Sequence, residues 1–260
     1  MSTCEIPLLS AEDLSKFYGD RLGCSGVTLD VYAGEVLGIV GESGSGKSTL
    51  LSLLSTQLRP TRGRVHYRMR DGVVRDLFAL GEAERRFLLR TDWGFVHQDA
   101  RVGLRMGVSA GGNVGERLMA VGWRNYGRIR AEAVDWLARV EIESGRIDDL
   151  PTTFSGGMRQ RLQIAKNMVT APRLLFMDEP TGGLDVSVQA RLLDLIRGLA
   201  ADHGLAVVLV THDLAVARLL SHRLIVMRHG RVIETGLTDQ VLDDPHEPYT
   251  QLLVSADLRG

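Results

Sequence analysis

The chain has 260 residues, of which 44% are hydrophobic and 24% are charged. This composition is typical of a globular protein with a large core, and it excludes a mainly disordered chain. Because 31 basic residues balance 32 acidic ones, the net charge is −1, and no overall charge favours nucleic acid or a membrane surface. The length fits one or two domains.

Cysteine usage and hydropathy exclude further classes of protein. Cys4 and Cys24 are too few for a disulfide framework or a structural zinc site, which favours a reduced, cytoplasmic compartment. Residues 1–16 lack the basic start and apolar stretch of a signal peptide. No apolar run approaches the ~20 residues that a spanning helix needs. We therefore expect neither membrane insertion nor a nucleic-acid partner.

Short apolar runs that end at polar residues or glycine predict strands of a parallel sheet covered on both faces. These runs are residues 36–40, 93–96, 174–177 and 205–210. Between them, apolar residues at three- and four-residue spacing predict helices, seen best in residues 161–170 and 186–200. The alternation of strand and helix predicts a doubly wound α/β fold.

Two further segments do not follow this alternation. Residues 224–226 and 232–233 flank a turn that contains Gly230, which predicts a β-hairpin. Residues 99–153 contain several glycines and then helix-like patterns, so we expect a mostly helical insert. Its part from Arg101 to Arg130 carries six arginines and one acid, Glu116. These arginines form either a solvated basic face or a docking surface for an acidic partner.

A glycine-rich loop separates the run 36–40 from a helix-like pattern. Its sequence fits G-x-x-x-x-G-K-[ST] and reads Gly41-Glu42-Ser43-Gly44-Ser45-Gly46-Lys47-Ser48-Thr49. The glycines let backbone N–H groups point at phosphate oxygens, and the helix N-terminus adds a positive field. We expect Lys47, one of only three lysines, to reach the β- and γ-phosphates of ATP, and the Ser48 hydroxyl to bind Mg²⁺.

Two other motifs carry candidate chemistry. Asp178 and Glu179 follow the run 174–177, where one carboxylate can hold Mg²⁺ and the next can accept a proton from attacking water. Ser155, followed by Gly156 and Gly157, is a good N-cap and begins a second helix able to bind an anion. Within one phosphate-loop domain this second helix start has no obvious phosphate to bind.

Six motifs, in this order, resemble the nucleotide-binding domain of ABC ATPases over about residues 5–236. They are GESGSGKST, Gln98 after Val96-His97, FSGGMRQR, LLFMDEP, TGGLD and His212 in VTHD. The resemblance implies a RecA-like phosphate-loop sheet core with an antiparallel β edge and a helical insert. It also implies that two such domains, most simply two copies of this chain, face each other head to tail. Each ATP then lies between the phosphate loop of one and Ser155-Gly156-Gly157 of the other.

The resemblance also gives roles to single residues. It makes Gln98 a sensor of Mg²⁺ and water, Glu179 the general base, His212 a switch that contacts the γ-phosphate, and Asp185 a cross-dimer contact. The implied Mg²⁺ ligands are Ser48, Gln98 and Asp178.

Two adjoining aromatic residues are candidates for the contact with adenine. Tyr18, about two dozen residues before the loop, fits the aromatic that stacks on adenine, and Phe17 is the competing candidate. The alternative for either is a core aromatic.

Two motifs depart from the usual family sequence. Phe154 and Met158 replace the ends of the usual LSGGQ, and Gly182-Gly183 replaces Ser-Ala of the usual SALD. Since the residues that face phosphate are kept, we expect activity to survive. A more flexible TGGLD loop is expected to weaken communication between the two ATP sites.

The resemblance divides the chain into three parts. It predicts a RecA-like ATP-binding core over residues 1–98 and 158–236, a helical signature subdomain over 99–157 and a C-terminal tail over 237–260. The ending DPHEPYTQLL at residues 244–253 is typical of oligopeptide-importer ATPases, although the chain stops soon after it. The stretches LRTDWGFVHQD, VSAGGNVGERLMA, RIDDLPTTFSGGM and MDEPTGGLDVSVQARLLDL resemble the ATP-binding subunits of bacterial carbon–phosphorus lyase systems.

The leading prediction is therefore a soluble ABC ATPase that docks on the carbon–phosphorus lyase core and drives its conformational change in phosphonate breakdown. It is not itself the lyase, because two isolated cysteines cannot hold the iron–sulfur cluster of that reaction. We expect the docking groove to include residues 101–117, with Arg105 facing an acidic surface. The alternatives are an importer ATPase for peptides, nickel or phosphonate, and a nucleotide-dependent assembly factor with little hydrolysis.

Overall fold

The computed structural model describes residues 6–257, so Cys4 lies outside the described part of the chain. Within that part, the chain forms two compact units: residues 6–82 with 206–257, and residues 83–205. No helix between residues 6 and 257 combines the length and the hydropathy needed to cross a bilayer.

The first stretch of chain forms β1 (Leu9–Tyr18), β2 (Arg21–Val31), β3 (Val36–Val40), α1 (Lys47–Leu54), β4 (Arg62–Arg68) and β5 (Val74–Asp76). The middle stretch forms α2 (Glu82–Thr91), β6 (Trp93–Val96), α3 (Ala100–Gly103), α4 (Ala110–Ala120), α5 (Tyr126–Arg139), two 3₁₀ turns (Ser144–Arg146 and Pro151–Thr153), α6 (Gly156–Met168), β7 (Leu174–Asp178) and α7 (Val186–His203). The last stretch forms β8 (Ala206–Val210), α8 (Leu214–Leu220), β9 (Arg223–Arg228), β10 (Arg231–Leu237), α9 (Thr238–Asp243) and α10 (Pro248–Asp257).

The first unit contains both antiparallel and parallel strands. Four antiparallel strands lie in the order β2-β1-β4-β5, with Leu9 opposite Val31 and Tyr67. A second group has the order β10-β9-β3-β8, in which β3 runs parallel to both β8 and β9. The antiparallel pair of β9 and β10 confirms the predicted hairpin around Gly230.

The core of the first unit forms where β3 and its neighbours are covered by the last three helices. β3 and β8 are buried at every position, as expected for strands covered on both faces. A cluster of buried side chains joins β3 and β9 to α8, α9 and α10, and it contains Val40, Leu214, Ala217, Leu224, Val226, Val241, Leu242 and Tyr249. Each large aliphatic residue buried there contributes about 1.5–3 kcal/mol of transfer free energy.

The second unit pairs two parallel strands with a group of helices. β6 and β7 are in register, with Trp93 opposite Leu174, and the Trp93 and Phe176 rings meet edge to face at 5.2 Å. Helices α4, α5 and α6 contact one another. A Cβ at Gly115 would lie 2.6 Å from Ile129, so glycine permits the close approach of α4 and α5.

The elements with the clearest apolar pattern were predicted well. Strands β3 and β6 have the predicted bounds, and the insert predicted over residues 99–153 contains helices α3 to α5. The residue pattern did not predict β1, β2, β4 and β5; an antiparallel edge was implied only by the family resemblance. The division into core, signature subdomain and tail stays a prediction. Cys24 lies fully buried in β2, and this burial raises its pKa to about 11.

Candidate functional site

The glycine-rich loop begins directly after β3 and ends at the first turn of α1. Gly46 has a φ of +105°, and a Cβ there would lie 2.5 Å from the Gly23 carbonyl oxygen. Gly41 has a φ of +146°, and a Cβ there would lie 2.3 Å from the Met227 carbonyl oxygen. Both positions therefore require glycine for the loop to take this path.

Lys47 and Ser45 give this loop the chemistry of a phosphate site. The Lys47 Nζ donates to the carbonyl oxygens of Gly41 at 2.7 Å and Glu42 at 2.8 Å, and the side chain is buried. The Ser45 hydroxyl is buried and has no hydrogen-bond partner among residues 6–257. A buried polar group left unsatisfied costs about 1–3 kcal/mol, which a phosphate oxygen would relieve. The loop therefore fits a bound phosphate.

Tyr249 of α10 holds the same loop, and the sequence analysis did not single it out. The Glu42 backbone N–H donates to the Tyr249 hydroxyl at 3.1 Å. The Arg228 guanidinium lies 4.6 Å from the centre of the Tyr249 ring, and burial raises the pKa of Tyr249 above its ordinary value. The available signal was the ending DPHEPYT, which had served only to indicate a branch of the family.

The two candidate adenine aromatics are both exposed, so neither is a core residue. Tyr18 is 48% exposed and Phe17 is 45% exposed. A Cβ at Gly23 would lie 2.9 Å from both the Tyr18 ring and the Thr49 side chain, which places the Tyr18 ring beside the end of the glycine-rich loop. The Phe17 backbone N–H donates to the Thr61 hydroxyl. Which of the two rings contacts adenine stays a prediction.

Gln98 and Glu179 contact each other although 81 positions separate them in sequence. The Gln98 Nε2 donates to the Glu179 Oε2 at 3.2 Å. Glu179 has a φ of +43°, which is a strained conformation for a residue with a side chain and is common at functional sites. A Cβ at Gly182 would lie 3.0 Å from the Gln98 Nε2. Gly182 of the TGGLD motif thus leaves room for the Gln98 amide.

The three side chains expected to hold Mg²⁺ offer a hydroxyl, an amide and one carboxylate: Ser48, Gln98 and Asp178. Residues 6–257 contain no group of three or more His, Cys, Asp or Glu side chains that could hold a metal by themselves. Mg²⁺ usually takes one or two carboxylates together with phosphate oxygens and water. The donor set therefore fits a Mg²⁺ ion that arrives with nucleotide.

Ser155 and Asp185 each begin a helix. The Ser155 hydroxyl accepts from the Met158 N–H at 3.2 Å, which confirms the predicted N-cap of α6. Asp185 caps α7 by accepting from the Val188 N–H at 3.0 Å, and this bond, with one from the Ser187 hydroxyl, lowers the pKa of Asp185. Both capping residues are exposed, so each remains accessible to a second chain.

His212 lies just after β8 in a turn with fixed backbone. The Asp213 N–H donates to the Thr211 hydroxyl at 3.0 Å, and Asp213 in turn caps α8 by accepting from the Val216 N–H. The His212 side chain itself is exposed. The turn therefore presents the histidine in a defined place.

The arginines expected to line a docking groove fall into two groups. Arg101 pairs with Asp99 at 2.9 Å and Arg105 pairs with Glu116 at 3.1 Å, and both arginine side chains remain about two-thirds exposed. Arg117, which the sequence analysis placed on the same face, is instead only half-exposed, and its guanidinium turns inward. Burial lowers its pKa to about 10.

The inward-turned guanidinium of Arg117 corrects that expectation, and its bonds explain it. The guanidinium donates to the side-chain oxygen of Asn167 and to the carbonyl oxygens of Leu89, Arg90 and Trp93. Two of these carbonyls end α2, where the helix dipole favours a cation. Arg117 thus ties α2 to the start of β6, and its guanidinium is engaged there.

Comparison with known proteins agrees with this geometry. Residues 24–182 match the sequence model of the ABC transporter family. The chain is 65% identical over 254 residues to the putative phosphonates utilization ATP-binding protein PhnK of Escherichia coli (strain K12), covering 98% of this chain and 99% of that protein. It is 37% identical to the dipeptide transport ATP-binding protein DppD of the same organism, covering 96% of this chain and 78% of that protein.

A solved structure gives the same fold. The dimeric post-hydrolysis state of the ATP-binding cassette MJ0796, bound to ADP and Pi, is similar with a TM-score of 0.79 and 30% sequence identity. The match covers 88% of this chain and 98% of that one. The predicted fold class is confirmed.

Substitution of Tyr249 tests whether α10 holds the glycine-rich loop. We expect Tyr249→Phe to weaken ATP binding about two- to tenfold, because loss of one hydrogen bond costs roughly 0.5–1.5 kcal/mol. Titration with a fluorescent ATP analogue measures the Kd. Tyr126→Phe, which changes an exposed ring of α5, is the matched control. An unchanged Kd for Tyr249→Phe would show that the loop does not depend on this bond.

Proposed function

The chain belongs to the ABC transporter family and is an ATPase of that family, and from this premise we propose that it drives a carbon–phosphorus lyase core in phosphonate breakdown. The observation that carries the proposal is 65% sequence identity, over 98% of this chain, to a relative named for phosphonate utilization. We place the protein in the cytoplasm as a motor subunit, with the bond cleavage itself done by its partners.

The glycine-rich loop would bind the phosphates of ATP. Lys47 would face the β- and γ-phosphates, and the buried Ser45 hydroxyl, which lacks a partner within residues 6–257, would donate to a phosphate oxygen. The loop's N–H groups and the start of α1 would add to this field. Tyr18 beside the loop would stack on adenine.

Mg²⁺ would be held by Ser48, Gln98 and Asp178 and would neutralise charge on the β- and γ-phosphates. Glu179 would accept a proton from a water molecule, whose oxygen bonds to the γ-phosphorus while the bond to the bridging oxygen breaks. The products are ADP and inorganic phosphate. His212 would contact the γ-phosphate.

The bond between Gln98 and Glu179 would define how the general base is held before nucleotide binds. The Glu179 carboxylate accepts the Gln98 amide N–H, and this bond holds the carboxylate in one orientation. Since Gln98 would also contact the nucleotide, ATP would alter this bond. The state of the general base would therefore depend on whether nucleotide is bound.

A second copy of the chain would complete each ATP site. Ser155 and Gly156 are exposed at the start of α6, and Asp185 is exposed at the start of α7. A helix start with free N–H groups favours an anion, and ATP on an opposing copy would supply one. The similar MJ0796 structure is dimeric, which supports this arrangement.

The segment after Gln98 would dock on the lyase core. Arg101 and Arg105 are exposed but already paired with Asp99 and Glu116, so docking on acidic residues would exchange one partner for another. Such exchange adds little affinity but favours a correctly charged partner and makes docking salt-dependent.

A second candidate function is importer ATPase, which the relative that serves dipeptide transport favours. In that case the same segment would receive a helix of a membrane subunit. The identity of the bound partner distinguishes the two functions. A factor that binds nucleotide with little hydrolysis is a third candidate, and the turnover measured below excludes it or supports it.

Two substitutions separate nucleotide binding from hydrolysis. We expect Lys47→Ala to lose ATP binding, because it removes the charge that faces the phosphates. Glu179→Gln should bind ATP but turn over about 10²- to 10⁴-fold more slowly, since it removes the general base. Phosphate release and nucleotide titration measure the two effects, with the exposed Glu143→Gln as control. Normal turnover by Glu179→Gln would reject the assignment of this base.

Affinity purification of the tagged protein from cells growing on a phosphonate tests the partner. We expect lyase core subunits to co-purify, and Arg101→Glu with Arg105→Glu to reduce their recovery at low and moderate salt. The matched control reverses Arg139 and Arg197, which are also exposed and paired with a nearby aspartate. Recovery of membrane permease subunits would favour the importer function, and unchanged recovery by the double variant would show that these arginines only solvate the surface.

A further inference from the structure

One face of α6 carries side-chain amides that bond the backbone of β6. The Asn167 side chain accepts from the Phe95 N–H at 3.0 Å and donates to the Phe95 carbonyl oxygen at 2.9 Å. Gln163 repeats this pair at His97, with distances of 2.8 Å and 3.1 Å. Since β6 pairs with β7, these amides take the places that another strand would take along β6.

The bonds continue on both sides of Gln98. Gln160 also donates to the His97 carbonyl oxygen, at 3.0 Å, so that oxygen accepts from two amides immediately before Gln98. Beyond Gln98, the Lys166 Nζ donates to the Gly103 carbonyl oxygen at 3.1 Å. Both ends of the segment 97–103 are therefore attached to α6.

Close packing adds to these bonds at Gly103. A Cβ there would lie 2.0 Å from the Gln163 Oε1, so only glycine allows the last turn of α3 to rest on the Gln163 amide. Gln163 is fully buried, and Gln160 is almost so. Buried amides that lost their partners would be costly, whereas apolar side chains could slide past each other. The segment 97–103 and α6 are therefore held in one relative position.

We infer that Gln163 and Gln160 are positioning residues for Gln98, and that the segment 97–103 moves together with the helix that begins at Ser155. The inference rests on the proposed function, in which Gln98 acts in hydrolysis and Ser155 meets the nucleotide of a second chain. When Ser155 meets the nucleotide of a second chain, α6 would shift. This shift would change both the Gln98–Glu179 bond and the position of Arg101. The physical basis is a single packed element to which both sites are attached.

A double-mutant cycle separates positioning from plain stabilisation. Gln163→Met keeps the length of the side chain but removes both bonds to His97. We expect it to lower kcat about tenfold in the wild-type background, as is typical when a group that orients a functional side chain is lost, with the KM for ATP unchanged. In the Gln98→Ala background it should leave kcat unchanged, because Gln98 is no longer there to be positioned.

The controls keep other causes apart. Gln57→Met makes the same chemical change at an exposed site and should leave kcat unchanged. Denaturant unfolding should show the same loss of stability for Gln163→Met in both backgrounds, because the lost bonds are the same. Hydrolysis by the wild type and its loss in Glu179→Gln test the proposed function without reference to Gln163.

Three results would overturn the inference. They are an equal fall in kcat in both backgrounds, no fall in the wild-type background, and a Gln98→Ala protein that keeps full kcat. If Gln163→Met does not fold, Gln160→Met enters the same cycle, where it removes one bond to the His97 carbonyl oxygen and one from the Gln163 amide. A smaller fall in kcat that again disappears in the Gln98→Ala background would then support the inference.

Discussion

The backbone along one side of β6 has no neighbouring strand within the second unit, and buried N–H and C=O groups must be paired. Helix α6 meets this need with Asn167 and Gln163, each of which both accepts and donates. Arg117 is a third residue that bonds this backbone, because it donates to the Trp93 carbonyl oxygen at the start of the strand. Because only His97 separates this strand from Gln98, the position of Gln98 depends on how the backbone groups of the strand are paired.

The need to pair backbone carbonyl oxygens also explains why the Arg117 guanidinium turns inward among the helices. The Arg117 guanidinium donates to four oxygens from three elements, and these are one amide oxygen and three backbone carbonyl oxygens. Asn167 joins this group to α6 through the oxygen that also accepts from Phe95. Such a network fixes one arrangement of α2, α4, α6 and β6, since any shift leaves several buried groups unpaired.

The sequence was sufficient for features that depend on local pattern. The apolar run 36–40 and the glycines after it predicted β3 and the phosphate loop, and Ser155 was recognised as an N-cap. It was insufficient where a residue's role depends on a distant contact. Arg117 looked like the exposed arginines around it, and Tyr249 looked like part of a tail. Nothing in the nearby sequence shows that the Arg117 guanidinium turns inward or that the Tyr249 hydroxyl accepts from the Glu42 N–H.

The TGGLD motif shows the same limit. Gly182 and Gly183 suggested only a more flexible loop, yet Gly182 lies where any side chain would press on the Gln98 amide, and it donates its N–H to the Glu179 carbonyl oxygen. The small size of Gly182 thus leaves room for the Gln98 amide as it bonds Glu179. The segment that carries Gln98 is thus confined by Gly182 on one side and by α6 on the other.

Hydrogen exchange followed by mass spectrometry tests this account most directly. The Glu179→Gln protein, which should hold ATP without turning it over, would be compared with and without Mg²⁺ and ATP, at concentrations where light scattering reports a dimer. The account predicts that exchange in the segment 97–103 changes together with exchange at the start of α6, over the same range of ATP concentration. A change at the start of α6 with no change in the segment 97–103 would contradict it.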